Sequence, residues 1–351
     1  MCESFCSFVP PHVIAHAARN EARDHLEPGP AQRTAIVSQK LRDHRRRVGT
    51  ASMDALMEEI LSLTTPSAGT AGLEIFDCAH SWSYPGALVR GEGDAEVGDP
   101  AVNNAYDGLK ATRQYYKEKL GRNSIDNLGL NLLANVNFGV DFANAFWDGS
   151  QMVFGNGDGI MFQEMTLGTN VAAHELTHGV TQYTAGLNYT NDQSGALNEA
   201  FSDILGTAVD AWANNKTVHD HDFLIGDEVM APGLFGEALR NMAEPGTAYD
   251  NPIMGTDPQP RNMTGYVPGG DPHLNSGIAN RWFYLVCVGL ESIDDAALIM
   301  YQALQNLWPT ANFADAVEVA AYQARILARS KKVPNKAAQV VRAAGREQGM
   351  I

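Results

Sequence analysis

The chain has 351 residues, 44% of them apolar, which is enough core for about two or three units and excludes disorder as its main state. Acidic residues outnumber basic ones 41 to 25, and the net charge of −16 excludes a nucleic-acid surface built on Lys and Arg. Four cysteines (Cys2, Cys6, Cys78, Cys287) are too few for a disulfide scaffold, and no apolar run approaches the roughly 18 residues of a membrane span.

The charge is uneven along the chain. Residues 1–50 carry a balance of +3 and the remainder −19, so the opening stretch reads as a separate segment. No basic region followed by an apolar run marks a secretory signal, so a cytoplasmic precursor or a leaderless export route is expected. After Pro10-Pro11 the spacing predicts helix over 13–47, broken at Pro28-Gly29-Pro30. A Ser/Thr/Gly/Pro-rich run from Thr64 to Gly72 reads as a linker or processing region.

From Gly72 to about Gly159, short apolar runs alternate with turn dipeptides. Ala145-Phe-Trp before Asp148-Gly149 and Gln151–Phe154 before Asn156-Gly157 are hairpin signals. One helix is expected here, over Asn103–Leu120. Beyond Asn170 helices dominate: 170–184, 194–213, 276–290, 293–307 and 312–330, with a long Gly/Pro/Asp-rich connection at 228–275. The expected boundaries are 1–60 for the leader with a linker to about 70, 71–180 for a β-rich lobe and 181–351 for a helical lobe.

The sharpest signal is His174-Glu175-Leu176-Thr177-His178. With Thr169 or Asn170 as N-cap the segment is helical, and positions four apart share a face about 5–6 Å across. Both imidazoles then reach one zinc ion, while Glu175 is placed to take a proton from water. This composition yields the pattern roughly 0.015 times by chance in such a chain. A catalytic zinc takes a third protein ligand and keeps an open position. Ser194-Gly-Ala-Leu-Asn198-Glu199-Ala-Phe-Ser-Asp203 reads as a second helix with a Ser cap, placing Glu199 to ligate and Asp203 to accept the other N–H of a ligating His.

Residues 174–203 resemble the thermolysin family of zinc metalloproteases, the gluzincins. Tyr106-Asp-Gly, Asn144-Ala-Phe-Trp, Gln151-Met-Val-Phe-Gly, Ala185-Gly-Leu, Leu239-Arg240 and His273-Leu-Asn-Ser-Gly extend the likeness over roughly 72–345. The resemblance implies an α+β fold of two lobes, β-rich then mostly α-helical, with zinc in the cleft between them. It implies a zinc endopeptidase with Glu175 as general base, His273 and Tyr189 stabilising the oxyanion, and Asn198 with Asp203 behind the ligands. Asn144 and Ala145 would hold an extended substrate as an added strand, and Arg240 would bind a substrate carbonyl. Phe162, Met165, Val171, Ile225 and Leu239 would line an apolar pocket, giving cleavage on the amino side of Leu, Phe, Ile or Val. One structural calcium would sit on Asp210, Asp222 and Asp227, with Asn170 where an Asp is usual.

The sequence also departs from the family. Pro268 stands five residues before His273, where an Asp is common, and Asp271 is the candidate replacement. One extra residue between His178 and Glu199 is assigned to the loop Asn191-Asp-Gln193. The leader with Pro10-Pro11-His12-Val13 resembles that of the protealysin-like branch, which implies a propeptide held in the cleft as an intramolecular inhibitor of a zymogen. A stiff Pro-Pro segment suits such a plug. Cys2 and Cys6 read as incidental in preference to a thiolate cap on zinc. Removal of the leader is expected between Arg47 and Gly72, with bonds before Val48, Met53 and Leu56 favoured, leaving an acidic, secreted, monomeric enzyme acting on peptides or proteins. A gluzincin aminopeptidase lacks support because no Gly-x-Met-Glu-Asn element is present. A catalytically weak, metal-stabilised binding or inhibitor-target protein is the other alternative.

Overall fold

The computed structural model describes residues 6–21, 28–48, 72–190 and 192–351, the side chains of 42–48 excepted. Cys2, the linker, the expected cleavage bonds before Met53 and Leu56, and Asn191 lie outside the described residues.

Among its described residues the leader forms a two-residue strand β1 (Cys6–Ser7) and two helices, α1 (Pro11–Glu21) and α2 (Pro30–Val48). Pro11 begins α1, where a missing N–H costs nothing, and Val13 and Ile14 bury its inner face. The lobe that follows contains β2 (Leu73–Asp77), β3 (Ala87–Gly91), α3 (Pro100–Leu120), β4 (Leu132–Val136), β5 (Ala145–Trp147) and β6 (Met152–Phe154). Helix α3 starts where Asp99 accepts from Ala101 N–H, and ends on Gly121 in a left-handed conformation.

The sheet order is β1-β5-β6-β4-β2-β3. The hairpin expected from the turn dipeptides is present, Ala145 opposite Phe154 and Trp147 opposite Met152. The sheet is mixed, because β4 runs parallel to both β2 and β6. The leader supplies an edge: β1 pairs antiparallel with β5, Cys6 opposite Trp147 and Ser7 opposite Phe146. Helix α2 covers a small aromatic core of Phe138, Phe142 and Phe146 through Val37 and Leu41.

The remaining helices are α4 (Thr169–Gln182), α5 (Gln193–Ala213), α6 (Pro272–Leu290), α7 (Ile293–Leu304), α8 (Phe313–Arg329) and α9 (Ala337–Glu347). Two caps differ from expectation. Gly168, not Thr169 or Asn170, precedes α4 and offers no side-chain cap, because Thr169 and Asn170 are already helical. Asp192, not Ser194, caps α5, accepting from the Ser194 and Gly195 N–H groups. Helix α9 lies beyond the last helix the spacing predicts. Helices α4 and α5 approach closely at Gly206, where a Cβ would stand 3.1 Å from Asn170 O and 3.5 Å from His174 N. That small residue lets the two ligand-bearing helices sit side by side.

Candidate metal centre and cleft

Helix α4 presents His174 and His178 on one face, and α5 presents Glu199 opposite. All three are buried, and their ligand atoms lie within 4.8 Å of one another. The two Nε2 atoms are 3.1 Å apart, with Glu199 oxygens 3.4 Å from His174 and 3.5 Å from His178.

The outer nitrogens decide what the inner ones can do. His174 Nδ1 lies 2.8 Å from Asp203 Oδ1, and His178 Nδ1 lies 2.8 Å from Asn198 Oδ1, with Ser202 Oγ at 3.1 Å. With Nδ1 of each ring held from outside, both Nε2 atoms are aimed at the Glu199 carboxylate. Two neutral imidazoles and a carboxylate converging in this way fit tetrahedral zinc with an open fourth position. Asp203 is itself clamped, by Arg240 Nε at 2.7 Å, Arg240 Nη2 at 2.8 Å and Asn280 Nδ2 at 2.8 Å. Burial pushes its carboxyl up, but Arg240 and His174 outweigh that and hold it at about 2.

Glu175 is fully buried, its carboxylate facing the Trp147 backbone and, among the described residues, no side-chain donor. Burial pushes its pKa up to about 8, opposed by His174 and reinforced by Glu199. His273 begins α6, and its Nδ1 lies 2.7 Å from Asp271 Oδ1, while Asp271 also caps the helix by accepting from His273 N–H at 3.0 Å. The family's usual Asp is absent at Pro268, and Asp271 makes the orienting contact from two residues away. Tyr189 donates to Glu199 Oε1 and stands 3.4 Å from His273 Nε2.

The leader runs through this arrangement. Ser7 O accepts from His273 Nε2 at 2.7 Å, and Phe8 N–H donates to Ala145 O at 3.0 Å. Phe8 O accepts from Arg240 Nη1 at 3.1 Å, and Val9 N–H donates to Asn144 Oδ1 at 2.9 Å. The Phe8 ring meets His174 edge to face at 5.3 Å. It also abuts Gly226 (φ +76°), where a Cβ would lie 3.1 Å from both the ring and Leu239 Cδ1. Phe162, Met165, Val171, Ile225 and Leu239 belong with Phe8 to one buried apolar cluster. The cleft therefore holds Cys6–Val9, and the Pro10-Pro11 pair marks where the chain leaves it: Pro10 closes the extended stretch and Pro11 opens α1. The sequence signal for this was Phe8-Val9, a bulky apolar pair just before the prolines.

Outside the cleft, His12 Nε2 lies 2.9 Å from Tyr249 Oη, His16 and Asn20 reach Pro252 O, and Thr34 Oγ1 accepts from Ala143 N–H at 3.1 Å. Full burial of Phe8 contributes about 1.5–3 kcal/mol. The Arg33–Asp141 pair at 2.8 Å, with side chains 36% and 47% exposed, contributes about 0–1 kcal/mol. Apolar burial and backbone recognition therefore dominate the docking.

The four calcium candidates are not gathered in the same way. Asp210 Oδ2 lies 3.2 Å from His221 Nε2 and 3.8 Å from Lys216 Nζ, and its Oδ1 accepts from Asn214 Nδ2 at 2.8 Å. Asp222 Oδ1 accepts from Leu224 N–H at 3.1 Å, while Asn170 Oδ1 is buried without a partner. Burial, then Asp222 and Asp210, push the Asp227 carboxyl up, and burial, Asp210 and Asp227 push Glu228 up to about 7. Among the described residues, the zinc set is the one group of His, Cys, Asp and Glu atoms close enough to share an ion; Cys6 is not in it.

Residues 45–182 match the family model described as "Thermolysin metallopeptidase, catalytic domain", and 185–348 match its "alpha-helical domain". This chain belongs to the thermolysin metallopeptidase family. An "Extracellular metalloprotease" of Pectobacterium carotovorum subsp. carotovorum is 40% identical over 305 residues, 85% of this chain and 84% of that protein. "Protease PrtS" of Photorhabdus sp. (strain Az29) is 36% identical over 309 residues, 86% of this chain and 81% of its own. Among solved structures, "Precursor of Protealysin, Metalloproteinase from Serratia proteamaculans" superposes with a TM-score of 0.82 at 35% identity, covering 99% of this chain and 100% of that one. This thermolysin-family member is a zinc metalloendopeptidase with a β-containing catalytic lobe and a helical lobe. Among the described residues no helix is long and apolar enough to cross a membrane.

Proposed function

We propose that this metalloendopeptidase is made as a zymogen whose leader occupies its own cleft, and that the mature enzyme cuts on the amino side of bulky apolar residues. The observation that carries the reading is the leader backbone itself, taken by His273, Ala145, Arg240 and Asn144 with Phe8 in the apolar cluster. A bound substrate would follow the same path as an added strand on β5.

His174, His178 and Glu199 would hold zinc, which supplies Lewis acidity toward water and the scissile carbonyl. Glu175 takes the proton from water and passes it to the leaving amine. His273 and Tyr189 donate to the developing oxyanion. Asp271 holds the His273 ring for that task, and Arg240, fixed by Asp203, binds the carbonyl on the amine side. Casein hydrolysis by the activated wild type, lost in Glu175→Ala and on zinc chelation, is the expected result; equal hydrolysis in both proteins rejects the mechanism.

The buried, unpartnered Asn170 Oδ1 and the raised Asp227 and Glu228 carboxyls support one calcium at Asp210, Asp222, Asp227 and Asn170. Asp210 is already engaged by His221 and Asn214, so calcium would have to take the place of those contacts. The removal bond is proposed between Arg47 and Gly72, and the mature enzyme is proposed to act as a monomer outside the cell.

A further inference from the structure

We infer that the Ser7–Phe8 peptide bond is a substrate of the cleft it occupies, cut within the same molecule, and that the cut leaves the rest of the leader docked. The inference rests on the peptidase reading above and adds a processing bond to it.

The observation is one of register. The Ser7 carbonyl receives the His273 N–H that stands beside the metal ligands, at 2.7 Å. The next residue donates its N–H to Ala145 O, gives its carbonyl to Arg240 and buries its side chain in the apolar cluster. The residue after that gives its N–H to Asn144. Every backbone group from Ser7 O to Val9 N–H is thus engaged, and the bond between the oxyanion donor and the pocket is Ser7–Phe8. Phe8 is also the residue type an uncharged pocket selects. A plug displaced by one residue would place a different carbonyl on His273 and a different side chain in the apolar cluster.

Hydrolysis consumes one water. Its oxygen adds to the Ser7 carbonyl carbon while Glu175 accepts its proton; the C–N bond to Phe8 then breaks and the proton passes to the Phe8 nitrogen. The products are a Met1–Ser7 peptide ending in a carboxylate and a chain beginning with the Phe8 amine.

The retained part keeps its own anchors. Pro10 and Pro11 turn the chain straight into α1, where Val13 N–H bonds Pro10 O at 3.1 Å. His12 remains on Tyr249, His16 and Asn20 on Pro252 O, and Thr34 on Ala143. Phe8 therefore stays in the pocket after the cut, and activation still needs the second cut beyond Arg47.

Intact-mass analysis of the zinc-loaded full chain decides it. The expected result is first-order loss of Met1–Ser7, with a rate constant unchanged over tenfold dilution, at least about tenfold slower in Phe8→Asp because a charge enters the apolar cluster, and absent in Glu175→Ala. In the nicked product, stripped of zinc, hydrogen exchange at Val13–Ala17 should match that of the intact chain. Exchange there at least about tenfold faster after the nick, or a nicking rate that falls on dilution, overturns the proposal. Retention of Met1–Ser7 in a preparation that hydrolyses casein overturns it while leaving the peptidase reading standing. Absence of the nick, together with no casein hydrolysis by the zinc-loaded chain after its leader has been removed beyond Arg47, removes that reading as well.

Discussion

Two acidic clusters lie a short distance apart along α5, and they are built differently. At the metal centre every ligand's outer atom is tied down: Asp203 and Asn198 hold the imidazoles so that their lone pairs converge. Eleven residues after Glu199, Asp210 is met by a histidine, an asparagine and a lysine, while Asp227 and Glu228 face it with raised carboxyls. What distinguishes the first cluster is convergence imposed from behind its ligands.

The largest expected effect is at the first cluster. Glu175→Ala should lower kcat by about 10²–10⁴ while zinc content is unchanged, checked by steady-state assay beside metal analysis. A parallel loss of zinc would make Glu175 part of the metal's framework and blur the contrast. Next is Asp203→Asn, which keeps the shape and removes the charge. Zinc affinity, read by chelator competition, should fall about 10–100-fold, and an unchanged value would mean the imidazoles are positioned without it.

The second cluster is probed through stability. In wild type, calcium at 100 times its dissociation constant should add about 2.7 kcal/mol of stability, seen as a rise in thermal midpoint. No rise would leave the acidic residues as a merely repulsive group. The smallest effect is pH-linked. Because Glu228 titrates higher in the folded chain than its ordinary 4.5, the folded state holds an extra proton between about 4.5 and 7. In calcium-free buffer stability should fall as pH rises through that window, by on the order of 1 kcal/mol after solvent screening. Glu228→Gln should flatten the curve, measured by denaturant unfolding at several pH values.

The centre was legible in the sequence because helical spacing alone puts His174 and His178 on one face, and Glu199 and Asp203 on another. Its supports were legible too: Asp203, Asn198 and Asp271 stand where the sequence put them, and only the second duty of Asp271, capping α6, had no signal. Local boundaries were less so. The N-caps at Gly168 and Asp192 lay one or two residues from the expected Thr169 and Ser194, because Ser, Thr, Asn and Asp compete for such positions. Strand β1 has two residues and no pattern of its own; it exists through its pairing with β5. Parallel pairing of β4 with β2 and β6 is equally silent locally. Helix α9 carries the periodicity it needs, with Ala337, Val341 and Ala344 buried at helical spacing, although the elements expected from the sequence end before it.

The leader and its cleft share one chain through residues 49–71, and that tether sets how inhibition depends on concentration. While the tether is whole, the plug faces its cleft at a fixed effective concentration, and dilution changes nothing. Once a bond in the tether is cut, the same contacts become a bimolecular complex, with inhibitor and enzyme equal in number. A crowded store of nicked molecules then stays silent, and dispersal into a larger volume is what wakes it.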